Sequence, residues 1–127
     1  MNFFEQELRR FTGKDTAFKS SKPVYAGRAC FIPLSGNRRA RLEFVTCGYA
    51  DHFEALDVTI LSTTEGKIDL LRLHFRDHFS QRKGGCSGTV CPHIWVDRGE
   101  AEWYVEPTSL EIKTIAKAAY DYIMLFA

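Results

Sequence analysis

Between residues 24 and 105 the side chains repeatedly change polarity at every second position, and a chain with that period buries its apolar half only as a sheet with one covered face. The clearest stretch is 39–47, where Arg39, Arg41 and Glu43 alternate with Ala40, Leu42 and Phe44. Before it, Val24, Ala26, Cys30, Ile32 and Leu34 fall broadly on one side of a single strand that Pro33 pushes toward an edge or an end. Ser35-Gly36-Asn37 supplies the turn of this first hairpin. Leu56, Val58 and Ile60 then oppose Asp57 and Thr59, and Thr63-Thr64-Glu65-Gly66 makes a tight turn. The return strand, 68–75, sets Leu71, Leu73 and Phe75 on one face with Asp69, while Arg72 and His74 point away. A third hairpin is expected from 93–96 and 101–105, with Gly99 available for a positive-φ turn position.

Two segments change to helical spacing. Phe4, Leu8 and Phe11 form one face of a short N-terminal helix, Glu5, Gln6, Arg9 and Arg10 the other, and Gly13 is placed to end it. Residues 13–23 have no period and read as a connection pinned by Phe18. At the other end, Thr108-Ser109-Leu110-Glu111 after Pro107 is a capping box, followed by an apolar stripe of Ile112, Ile115, Ala116, Ala119, Ile123 and Met124. The expected fold is therefore a single α+β domain over 1–127: an antiparallel sheet of about six strands in three hairpins, flanked by an N-terminal and a C-terminal helix. With 127 residues, 45% of them hydrophobic, the chain has enough apolar surface for one core. No run of apolar residues is long enough to span a bilayer, and Glu5 and Glu7 stand where an export signal needs a basic patch, so no membrane partner and a cytoplasmic location are expected.

The formal net charge of +1 lacks the field on which non-specific nucleic-acid binding rests. Residues 1–50 nevertheless carry a balance of +5 and residues 51–127 one of −4. Either the halves occupy different surfaces, favouring a polyanionic partner or head-to-tail homo-oligomers, or the strands of the two halves interleave and the charges mix.

Cys86, Cys91 and His93, with His78 and His74 at the start of the same glycine-rich segment, are the side chains suited to tetrahedral zinc. Their spacing matches no standard two-plus-two ligand pattern, so no cofactor is expected, structural zinc being the lesser alternative to ordinary thiols and surface histidines. A Cys86–Cys91 disulfide is disfavoured by the cytoplasmic reading, and Cys30 and Cys47 read as buried small hydrophobes. A thiol nucleophile can be written with Cys91, His93 or His78 as base and Asp77 or Asp97 as orienter, but nothing in the sequence lowers the thiol pKa. Phosphate loops, nucleotide fingerprints, the G-x-S-x-G elbow and paired-carboxylate motifs are missing from the sequence, which counts against an enzyme.

Two surfaces suit a macromolecular partner. Arg38, Arg39 and Arg41 cluster on the first hairpin with Arg28 nearby and Tyr25 and Phe31 interleaved, the composition of a strand face that binds single-stranded nucleic acid. The commoner reading of such arginines is a solvated face paired with Glu43 or neighbouring acids. Trp95, Trp103 and Tyr104 on the third hairpin read first as core under the last helix, and as a protein-binding patch if an indole stays exposed.

The opening Met1-Asn2-Phe3-Phe4-Glu5-Gln6-Glu7-Leu8-Arg9 and the stretches Tyr25-Ala26-Gly27-Arg28-Ala29-Cys30, Phe44-Val45-Thr46-Cys47-Gly48-Tyr49-Ala50-Asp51-His52, Pro92-His93-Ile94-Trp95 and Glu102-Trp103-Tyr104 resemble a family of short uncharacterised proteins carried on conjugative and other mobile elements of gut Firmicutes. The resemblance spans most of the chain and implies a cytoplasmic bacterial accessory protein. It carries no catalytic residue with it. The expected function is a non-enzymatic binding module whose partner is a macromolecule, protein before nucleic acid.

Overall fold

The alternating segments pair into one sheet in the computed structural model, which describes residues 2–46, 52–80, 94–98 and 101–127, with side chains at all of these except 97, 98 and 101–104. The order of elements is α1 (Phe3–Thr12), β1 (Val24–Ala26), β2 (Ala29–Pro33), β3 (Arg38–Thr46), β4 (Phe53–Ser62), β5 (Gly66–His74), α2 (Phe75–His78), β6 (Ile94–Arg98), β7 (Ala101–Val105) and α3 (Ser109–Met124). This is the α+β arrangement expected: an antiparallel sheet with a helix at each end of the chain.

The strand expected over 24–34 is folded on itself. Gly27 takes φ +60 and, with Arg28, makes a two-residue turn between β1 and β2, so Tyr25 faces Cys30 and Val24 faces Phe31. Glycine at the first position of such a turn matches the twist of the flanking strands. β2, β3, β4 and β5 then pair antiparallel in sequence order. β6 joins the start of β4 through the single parallel pair Phe53 and Ile94, and β7 pairs antiparallel with β6, placing Trp95 opposite Tyr104 and Val96 opposite Trp103 in register.

One face of this sheet is the core. In register, the row Tyr25, Cys30, Leu42, Val58, Leu71 lies beside the rows Ile32, Ala40, Ile60 and Phe44, Leu56, Leu73. Both helices cover this face. From α1 come Leu8 and Phe11, and from α3 Ile115, Ala116, Ala119 and Ile123, all with no exposed surface. Each of the larger side chains among them, Leu8, Phe11, Ile115 and Ile123, contributes about 1.5–3 kcal/mol relative to exposure. Met124, expected in the same stripe, stands 39% exposed at the end of the helix.

The helix ends are closed by side chains. Asn2 accepts the Glu5 N–H and donates its amide to the Gly27 carbonyl at 2.9 Å, so one residue caps α1 and anchors the β1–β2 turn. The capping box of α3 forms as expected, Thr108 accepting from the Glu111 N–H and Glu111 from the Thr108 N–H. Phe18 is fully buried with its ring edge-on to Tyr120.

The strand expected to run through Phe75 stops at His74. α2 follows, and one helical turn brings Phe75 and Phe79 into the core, their rings stacked 4.9 Å apart. Phe75 and Phe79 are four residues apart, a spacing that places both on one face of a helix.

Candidate functional site

The buried side chains of α1 and α3 named above belong to the first face of the sheet, and the side chains of its second face follow from the register. One row reads Val24, Phe31, Arg41, Thr59, Leu70, and the next toward the hairpin turns reads Pro33, Arg39, Leu61, Lys67. Across those two rows stand three cations and no carboxylate. The following row, Ala26, Ala29, Glu43, Asp57, Arg72, holds both acids of this part of the face. Because β3 from the first half of the chain pairs with β4 from the second, the two charge balances interleave, and charge is sorted along the strands instead of between halves.

The arginines divide accordingly. Arg72 grips Asp57 with two hydrogen bonds of 2.7 and 2.9 Å, which hold its pKa above the usual value. Arg9 pairs with Glu5, and Arg10 with Glu7 and Glu106. Arg38, Arg39 and Arg41 form no ion pair among the described residues. The pairing with Glu43 that would make them a mere solvated face is not formed. The Arg39 guanidinium lies 4.4 Å from the centre of the Phe31 ring, and Arg41 carries a buried Nε with no hydrogen-bond partner.

Beside this cluster lies an open hollow of about 550 Å³, walled by Val24, Ala26, Phe31, Pro33 and Leu34, with Arg38 and Arg39 on its rim. Its walls are mainly apolar, and Val24 is 59% exposed there. Arg28 does not join the cluster. Its guanidinium stacks 4.1 Å over Phe4 of α1, on the helix-covered side.

Trp95 occupies a second, smaller cleft. Its half-buried indole stacks on the His52 ring at 5.5 Å and lines a space of about 200 Å³ with Glu54, His74 and Arg76. It is therefore not wholly absorbed into the core under α3. The side chains of Trp103 and Tyr104 lie outside the described set.

Of the metal candidates, Cys86, Cys91 and His93 lie outside the described residues, as does Cys47. His78 ends α2, half-buried. No group of three or more His, Cys, Asp or Glu among the described residues is arranged to hold a metal ion. Cys30 is fully buried, and burial pushes its thiol up to about 12, so it stays protonated and inert at neutral pH. His74, placed by the sequence on the polar side of its strand and beside the zinc candidates, and His52 could have been linked to Trp95 only through the parallel pairing of β4 with β6, a contact between positions 41 residues apart that no local pattern records.

No helix among the described residues is long and apolar enough to cross a membrane. Comparison with protein-family models, with curated proteins and with solved structures finds no match.

Proposed function

We propose that this chain is a non-enzymatic binding module that holds a protein partner on the open face of its sheet. The observation that carries the reading is the apolar hollow beside Phe31, rimmed by Arg38 and Arg39 and containing the exposed Val24. Aromatic and arginine side chains over an apolar depression are the composition of interface anchors. Three of the carboxylates that the fold pairs act structurally: Glu111 caps α3, Glu7 meets Arg10, and Asp57 meets Arg72. An accessory role in a bacterial cytoplasm, implied by the resemblance to mobile-element proteins, agrees with a module whose work is association.

A photo-crosslinking side chain at Val24 tests this in a bacterial extract, with the same group at Leu110, 73% exposed on α3, as control. Discrete protein adducts from position 24 alone support the reading. Adducts of equal yield from both positions, or none, end it. A second reading, single-stranded nucleic acid, is favoured by the unpaired charges of Arg38, Arg39 and Arg41, and nuclease-sensitive adducts at position 24 would select it.

A further inference from the structure

We infer that the partner segment seated on the open face is acidic, bringing carboxylates to Arg39 and Arg41 and an apolar side chain to the hollow between Val24, Phe31 and Pro33. This rests on the reading of that face as a docking surface and adds the chemistry of what docks. Three observations carry it. The two rows through Arg41 and Arg39 contain no Asp or Glu, whereas Arg72, the arginine of the adjoining row, holds Asp57 at 2.7 Å. Neither Arg39 nor Arg41 forms an ion pair among the described residues, so an incoming carboxylate supplies their guanidinium groups with a charge-assisted acceptor. The hollow that Arg39 borders is walled mainly by apolar groups, which take a hydrophobic anchor, and Arg41 stands beside one of those walls, Phe31, in register.

Spacing narrows the partner further. Arg39 and Arg41 are two residues apart on one strand face, which separates their Cα atoms by ~7 Å. An extended segment with acids at alternate positions presents carboxylates at that same interval. A continuous phosphate chain fits less well, because in the next row a polyanion crossing the face would meet the Glu43 carboxylate and an arginine, Arg72, already engaged by Asp57. Discrete carboxylates stop short of that row.

The test is selection from a displayed peptide library randomised over about a dozen positions, using the whole chain as bait. The expected result is enrichment of Asp or Glu at positions two apart with a large apolar residue close by. Binding of the selected peptide should weaken by about tenfold or more with added salt and by at least as much in the Arg39→Glu/Arg41→Glu variant, while Lys113→Glu on α3 leaves it unchanged. Should the double variant fail to fold by circular dichroism, Val24→Glu, a change at an exposed position, tests the anchor in its place. Selected peptides without acids overturn the inference, as does tighter binding of oligo-deoxythymidylate than of the selected peptide. An empty selection alongside persisting crosslinks at position 24 removes the acidic chemistry and leaves the docking face standing. Loss of both removes the docking reading itself.

Discussion

The Ser80 N–H donates to Glu111 Oε2 at 2.6 Å, while the other oxygen of the same carboxylate takes the N–H of Thr108 at 2.9 Å. A capping-box acid ordinarily serves only its own helix. Here it also closes the chain just after α2, holding Phe75 and Phe79 against the core. Glu111→Ala removes an acceptor from two N–H groups at once and should cost about 2–3 kcal/mol, more than a cap alone. Glu111→Gln, which keeps one acceptor oxygen, should cost roughly half as much. Urea denaturation at neutral pH reads both, and a loss for Glu111→Ala no larger than that for Lys113→Ala would contradict the double role.

Two glycines are required for different reasons, and substitution separates them. At Gly27 a Cβ would meet nothing within 4 Å, but φ is +60, so Gly27→Ala should lose about 1 kcal/mol through backbone strain alone. Gly13 ends α1 with φ −70, open to any residue, yet its Cβ would lie 2.9 Å from the Arg9 carbonyl oxygen. Gly13→Ala should therefore also destabilise, by about 1 kcal/mol or more, although alanine is the better helix former. Thermal unfolding measures both, and an unchanged midpoint for Gly13→Ala would show that the last turn of α1 yields easily.

Native Cys30 should resist thiol reagents. It has no exposed surface and its thiol is raised to about 12 by desolvation, so the thiolate fraction at neutral pH is negligible. Peptide mapping after iodoacetamide treatment should find position 30 unmodified in the native protein and fully alkylated in denaturant. Rapid native alkylation would mean that β2 opens from the sheet on the timescale of labelling.

Much of the fold was legible because it is written in local periods. The alternation of Arg39, Arg41 and Glu43 with Ala40, Leu42 and Phe44 assigns the two faces of β3 correctly, and Thr108 with Glu111 marks the start of α3. Local pattern failed where a single residue switches conformation: Gly27 turns one expected strand into two, and Phe75 leaves the strand period for a helical one shared with Phe79. The candidate site was legible only as composition. Arg39 and Arg41 could be named from the sequence, but their freedom from Glu43 and their neighbours Val24, Leu61 and Leu70 depend on the register of β1 through β5, a non-local property.

Glu7 gives the protein an acid-side stability signature of unusual sign. It is 8% exposed between α1 and the chain after β7, and burial raises its carboxyl above the ordinary value of 4.5 despite the Arg10 guanidinium 2.8 Å away. A raised carboxyl means that the folded state binds the proton more tightly than the unfolded chain does. Its contribution to stability is therefore fully present below the unfolded value and is lost as pH rises through the folded one. Glu7→Gln keeps the shape and holds the site permanently neutral, while Arg10 retains Glu106. The variant should match the wild type near pH 4 and equal or exceed it in stability near pH 7, with a flatter slope between. Melting curves across that range decide it. A variant less stable than the wild type at neutral pH would mean that the Glu7–Arg10 pair outweighs the desolvation of its carboxylate.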